Sequence, residues 1–514
     1  MADYASNLAA LRTNPAGLAL LKRGIEKESL RISRDGNLAQ TPHPSTLGSP
    51  LTHPQITTDF SEAQLELITG VHGSPNDCLA ELEDVHAYVH SQLEDEYMWP
   101  ASMPCLVGDD ASIPIGQYGS SHIGQAKTIY RRGLGVRYGR LMQTISGIHY
   151  NFSVPAELWS ALGIQSQAEI TEAYFGLIRN FRRWSWLLIY ALGASPAVCR
   201  SFTRNLPHNL QALDEGTMHL PHATSLRMGP LGYQSQAQAS LHISYNSVEE
   251  YAESMVGALT TIYPPYAATG VFDESGEYQQ LNTHLLQIEN EFYGTIRPKR
   301  TIASGERPVN ALLQRGVEYV EVRCLDLNPF EPLGIGLEQI RFIDTFLLLC
   351  LLEDSPNDSE VESGRLLLNQ KAVVERGREP GLQLTCPQGQ QTTLQTWATE
   401  LLEKCQEIAG MLDQVHDTSS YQAACQAQMD KVTDPEQTPS AQIIAAIKES
   451  RRPFFRIAMD QAELFSKQFQ EHPLDAEKSA AFAQRSTESL QRQAEIEAAD
   501  TEPFPEFLQK YLAI

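Results

Sequence analysis

Apolar and polar positions change rhythm several times along this chain, and each change marks an element. Residues 5–22 carry a helix-like spacing interrupted at Pro15, Ala16 and Gly17. After Gly24 the period falls to two, with Glu26, Glu28, Leu30 and Ile32 on one side of a predicted strand that the turn Arg34–Asn37 closes. The proline-rich stretch 41–54 predicts a loop, followed by β-rich runs at 56–60 and 64–69 and an acidic helix over 77–97. Loop-rich sequence from 101 to 124 leads to a basic, helix-compatible segment at 131–142. Residues 144–154 alternate cleanly, placing His149, Asn151 and Ser153 on one strand face, and 167–192 predict a long helix. Further strands are predicted at 240–245, 285–293 and 318–325. Beyond residue 338 the spacing is helical only, with a polar break at 355–365 and helices over 392–415, 420–431, 438–470 and 474–498.

Strands and helices mixed without a regular βαβ period argue for an α+β fold around a largely antiparallel sheet. Residues 1–350 are expected to form a sheet-centred core, and 351–514 a helical part packed on the same unit.

Composition narrows the class. A 42% hydrophobic, 20% charged chain is that of a soluble globular protein, and 514 residues suffice to bury about three quarters of the unfolded surface. With 63 acidic against 39 basic residues the net charge is −24, which excludes nucleic acid or an anionic membrane as a general partner. Anionic ligands would have to be met locally, by metal ions or grouped arginines. The apolar runs 186–192 and 346–352 fall well short of the roughly 20 residues of a spanning helix. No secretory leader pattern opens the chain, and the eight cysteines contain no Cys-x-x-Cys pair, so reduced thiols in the cytoplasm are expected.

Acids at a spacing of two on a strand face roughly 7 Å apart need cations, from neighbouring basic side chains or from metal ions. Asp59 with Glu66, His149, and Glu321 with Arg323 add to Glu26 and Glu28. Carboxylates from separate strands with one imidazole suit several magnesium ions, and a nearby arginine suits a transferring phosphoryl group. Asp59 and Glu66 lie seven residues apart, so a turn near Ser61–Ala63 is needed to bring both inward. No phosphate-binding loop sequence occurs, which leaves the basic run Arg297–Arg300 and Arg323 as candidates for holding a nucleotide, unless that run is a solvated turn.

Several longer blocks are similar to bacterial glutamate–cysteine ligases. They are RGIEKESLR at Arg23–Arg31, ITTDF at Ile56–Phe60, MQTISGIHYNF at Met142–Phe152, QIENEFY at Gln287–Tyr293, IRPKR at Ile296–Arg300, GVEYVEVR at Gly316–Arg323 and EAADTEPF at Glu497–Phe504. The resemblance implies a curved, glutamine-synthetase-like antiparallel sheet. It also implies ATP-dependent joining of the L-glutamate γ-carboxylate to L-cysteine through γ-glutamyl phosphate, the first step of glutathione synthesis. Glu26, Glu28, Asp59, Glu66, His149 and Glu321 would then hold magnesium, or manganese in its place. Arg323 and Glu321 would be catalytic, Arg227, Tyr130, Arg131, Tyr233 and Tyr293 would bind substrate, and Arg297, Lys299 and Arg323 would bind ATP. A monomer or weak oligomer is expected. The rival readings are a related ligase with a different amine, a non-catalytic binding protein, and a glycosidase-like use of paired acids.

Overall fold

Lys22–Ser33 (β1) is a twelve-residue strand, and its alternation divides the molecule. The structure, a computed structural model of the 514-residue chain, describes residues 3–232, 236–239, 241–303 and 305–513. In chain order the other strands are Ile56–Thr58 (β2), Gln64–Ile68 (β3), Glu96–Met98 (β4), Ile148–Ser153 (β5), Ala197–Cys199 (β6), Gln211–Ala212 (β7), Thr217–His219 (β8), Ile296–Lys299 (β9), Tyr319–Leu325 (β10), Gln383–Thr385 (β11) and Gln391–Thr393 (β12). The principal sheet runs β2-β3-β1-β5-β10-β9 with every pair antiparallel, and β4 pairs with the far end of β1. The chain is thus α+β.

Successive side chains of a strand point to opposite faces, so each strand contributes to two cores. Ile25, Leu65, Leu67, Tyr150, Phe152, Val320 and Val322 are buried on one face in a large apolar cluster that also takes in the helices Pro75–Gln92, Gln167–Leu192 and Leu337–Leu352. Leu30 and Ile32 belong to a second cluster on the other face, the face that carries Glu26 and Glu28. Helix Gln167–Leu192 starts at a reciprocal cap between Ser166 and Glu169, which satisfies N–H groups left open at a helix start.

Several elements differ from the sequence reading. The basic helix begins at His122, capped by Ser121, rather than near 131, because Gly124, Gly133 and Gly135 weaken its local signal. Residues 285–293 form no strand; they contain a short helical turn at Glu289–Glu291, and 241–245 is irregular, while residue 240 lies outside the described residues. The stretch 438–470 is two helices, Pro439–Ser450 and Phe454–Glu471, broken where Pro453 removes an N–H donor. The hairpin β11–β12 interrupts what was read as helix alone. Cys105 and Cys199, far apart in sequence, meet with Cα atoms 5.0 Å apart and form a disulfide, against the expectation of thiols throughout. Spacing carries no information about this pair, because tertiary folding alone brings the loop after β4 against β6.

Candidate active site

Strand register brings the acids together. Glu26 lies opposite His149 between β1 and β5, and Glu28 lies opposite Glu66 between β1 and β3. Glu321 on β10 pairs with Asn151 on β5. Asp59 enters through the turn that its separation from Glu66 requires: its N–H donates to the Gln64 carbonyl at 2.9 Å, and the Gln64 N–H to the Ser61 carbonyl at 2.7 Å. The five acids and His149 line one cleft of about 300 Å³, together with Arg227, Lys299 and Arg323.

His149 is the hub. Its Nδ1 is 3.3 Å from Glu26 Oε2 and 3.9 Å from Glu321 Oε1, and its Nε2 is 3.7 Å from Glu28 Oε1. Atoms of Glu26, Glu66 and His149 lie within 4.8 Å of one another. Asn151 Nδ2 donates to Glu26 Oε1 at 2.9 Å, and the Gly147 N–H to Glu28 Oε2 at 2.7 Å. Glu321 is held by Lys299 Nζ at 3.3 Å and Arg323 Nη1 at 3.2 Å.

Charge is shared unequally among these groups. Burial opposes ionisation of Glu321, yet Lys299 and Arg323 beside it keep its carboxyl well below the usual range. Burial likewise works against Glu26, and the His149 hydrogen bond together with the neighbouring His149 and Lys299 charges lowers its pKa. Burial with the Asp59 charge pushes Glu28 up to about 8, and burial with Glu26, Asp59 and Glu28 raises Glu66. Burial and the Arg323 charge depress His149, which keeps its imidazole neutral and able to donate a lone pair.

The protein's own cations thus pair directly with the β10 side of the cleft, whereas at the Asp59–Glu66 side Arg131 and Lys127 act on Glu66 only through space and leave its pKa raised. Neither the Asp59 nor the Glu66 carboxylate has a hydrogen bond or ion pair among the described residues, although both line the cleft. A set of oxygen donors with one neutral imidazole and uncompensated negative charge fits hard divalent cations.

The other residues singled out in the sequence mostly reach the same cleft. Tyr130, Arg131, Tyr293, Arg227 and Arg297 line it, whereas Tyr233 lies outside the described residues. Arg227 donates from Nη2 to the Arg323 carbonyl at 3.0 Å and lies 3.9 Å from Asp326, a buried acid that accepts from Ser195 at 2.6 Å and Ser225 at 3.0 Å. Arg131 packs its guanidinium 4.3 Å from the Tyr118 ring centroid and donates to the carbonyls of Asp59, Lys127 and Thr58. Arg297 donates to the carbonyls of Asn290 and Phe292, so it also shapes the segment that presents Tyr293. Tyr293 Oη accepts from Gln143 at 2.9 Å.

Sequence reasoning did not single out Lys127 or Gln143 as site residues, and it noted Asn151 only as a neighbour of His149 on its strand face. Lys127 precedes Arg131 by four residues, the spacing of one helix face, and starting that helix at its true cap would have found it.

A family profile described as glutamate-cysteine ligase matches residues 8–373. A glutamate–cysteine ligase of Pseudomonas entomophila is 49% identical over 507 residues, covering 97% of this chain and 95% of that protein. One of Azotobacter vinelandii is 49% identical over 525 residues, with 100% and 99% covered. Among solved structures, the glutamate–cysteine ligase of Francisella tularensis in complex with AMP superposes with a TM-score of 0.90 at 37% identity, over 96% of this chain and 97% of that one.

Proposed function

The chain belongs to the glutamate–cysteine ligase family, which forms γ-glutamylcysteine from glutamate and cysteine with ATP in glutathione synthesis, and on that premise we propose which residues carry the reaction. One observation carries the assignment: five carboxylates and a neutral imidazole from four strands and one turn converge on a single cleft beside Arg323.

Glu26, Glu28, Asp59, Glu66, His149 and Glu321 are the magnesium ligands. Magnesium bound there neutralises the charge of the nucleotide phosphates and of the incoming carboxylate, which otherwise repel each other. Lys299 and Arg323, both on Glu321, hold the phosphate chain at the β10 side. A second cavity of about 320 Å³ shares Asn290, Arg297 and Lys299 with the cleft and is otherwise lined largely by apolar and aromatic side chains, including Tyr251, Val309 and Tyr319. The nucleotide lies across that edge of the sheet.

In the first step an oxygen of the glutamate γ-carboxylate bonds to the γ-phosphorus, and the bond to the ADP oxygen breaks. Arg323 stabilises the charge spread over the transferring phosphoryl group. In the second step the cysteine amine bonds to the γ-carbonyl carbon of γ-glutamyl phosphate, phosphate leaves with the C–O electron pair, and the amine proton passes to solvent. Phosphorylation turns one hard displacement into two easier ones. Arg227, Tyr130, Arg131 and Tyr293 face the amino acids, with Gln143 orienting the Tyr293 hydroxyl, and Tyr233 keeps the substrate-binding role that the family resemblance implies. Among the described residues no helix is long and apolar enough to cross a membrane. We place the protein in the cytoplasm, as a monomer or weak oligomer.

The test is phosphate release from ATP with magnesium and glutamate, with and without cysteine. Cysteine should stimulate release strongly, and chelation of the divalent ion should abolish it. Stimulation by another amine but not by cysteine would make this a related ligase with a different acceptor.

A further inference from the structure

Six basic side chains line the cleft, and five of them are engaged by the protein. Arg131, Arg227 and Arg297 donate to backbone carbonyls, and Lys299 and Arg323 pair with Glu321. Lys127 differs. It stands on the helix His122–Tyr138, and its ammonium has no hydrogen bond or ion pair among the described residues, only the face of Tyr118 at 5.4 Å from the ring centroid. An ammonium that is half-buried with only an aromatic face for company has lost hydration that nothing in the protein replaces. Burial, with a further push from the neighbouring Arg131, pulls its pKa down to about 8 against the opposing charge of Glu66.

Position says which anion is missing. Arg131, one helical turn beyond Lys127, bonds to the carbonyls of Thr58 and Asp59, which fixes this helix at the β2 edge of the sheet. Arg297 and Lys299 stand on β9, the opposite edge. The order β2-β3-β1-β5-β10-β9 puts that helix and these two residues at opposite ends of the cleft that all of them line. The second cavity opens at the β9 edge, so on the ligase reading the nucleotide sits at the end of the cleft away from Lys127. With the phosphates and the glutamate γ-carboxylate assigned to the metal site, the remaining anionic groups of the substrates are the α-carboxylates of the two amino acids.

We propose that Lys127 binds the α-carboxylate of an amino-acid substrate and so selects α-amino acids over the corresponding simple amines or carboxylates. This rests on the ligase reading above. The contact is a charge-assisted hydrogen bond in a partly desolvated site, with no other duty to the fold.

The experiment compares KM for glutamate, cysteine and ATP in the wild type, Lys127→Gln and Lys127→Arg. The glutamine variant should raise KM for one amino acid about 10- to 100-fold and leave that for ATP unchanged, with arginine restoring most of the loss. Analogues identify the source. If glutamate is held, the difference between wild type and variant disappears with 4-aminobutyrate, which lacks that carboxylate; if cysteine is held, it disappears with cysteamine. Should Lys127→Gln melt well below the wild type, Lys127→Met gives the same comparison without a new polar group. Unmoved KM values for both amino acids, a fall in kcat alone, or a rise in KM for ATP alone would overturn the assignment. Wild-type protein without cysteine-dependent ATP turnover would instead sink the ligase reading itself.

Discussion

At Gly147 an added methyl group would overlap the Arg227 guanidinium, while the Gly147 N–H donates to Glu28. This glycine therefore lets one arginine pack close beside the acids of the cleft. Gly147→Ala should lower kcat/KM about 100-fold through displacement of Arg227 by an ångström or so, with the melting temperature little changed. Steady-state rates beside a thermal melt would check both halves. His90 teaches a different lesson. Its ring is 5% exposed, stacks on Phe469 at 4.6 Å between centroids, and burial lowers its pKa from 6.5 to about 3. Between those values the unfolded chain binds a proton that the folded one refuses, so this residue makes stability fall as pH drops from about 6.5 towards 3, by up to about 1.4 kcal/mol per unit. His90→Phe keeps the stack and removes that slope, so the stability difference between variant and wild type should grow steadily as pH falls through this range in denaturant titrations.

At the scale of the element, β1 does two jobs because its faces do different things. Its first residues also tie the sheet to a helix: Arg23 Nη2 lies 3.1 Å from Asp344 Oδ2 on Leu337–Leu352, with the two side chains 1% and 0% exposed. Tyr150 donates to the same carboxylate at 2.7 Å. Asp344→Ala leaves a buried arginine without its anion and should cost about 3–5 kcal/mol, read as a shift of the urea midpoint. Replacing both partners together, Arg23→Met with Asp344→Leu, should recover most of that loss, because no unpaired charge remains. The alternation of Glu26, Glu28, Leu30 and Ile32 was legible in the sequence because a half-buried strand must alternate. The helix 167–192 was legible because a long apolar stripe has one periodicity. Residues 285–293 misled because their alternation reflects contacts made individually: Glu291 is held by Arg137 at 2.9 Å and Tyr138 at 2.7 Å, and no strand among the described residues pairs with it.

On the scale of the whole molecule, the net charge of −24 and the acid-lined cleft make one picture, in which, on the function proposed above, anionic substrates are approached through bound cations and a few engaged arginines. The two apolar clusters meet at the principal sheet, so the cleft is set on a layer buried from behind and its side chains have little freedom to drift. The disulfide fastens the three-stranded sheet β6-β8-β7 to the loop after β4, across a sequence separation of 94 residues. Protein purified without reductant and denatured should therefore titrate six thiols, and eight after reduction. Replacing both cysteines with serine should lower stability by up to about 4–5 kcal/mol, since the unfolded chain regains the freedom of a long loop.

The sequence by itself determined what local periodicity and side-chain chemistry determine. It placed Glu26 with Glu28, and His149 with Asn151, on shared strand faces, located the long helices, and marked blocks whose resemblance carried the family. Tertiary structure alone decided the rest: the register that sets Glu28 against Glu66, the turn that brings Asp59 inward, the meeting of Cys105 with Cys199, and the seating of the Lys127 ammonium over the Tyr118 ring with no hydrogen bond or ion pair among the described residues. The physical reason is that a face is a property of neighbouring residues along the chain. Which side chains share a cleft, and which charge is left without a partner, depends on contacts between segments whose separation in sequence says nothing about their distance in space.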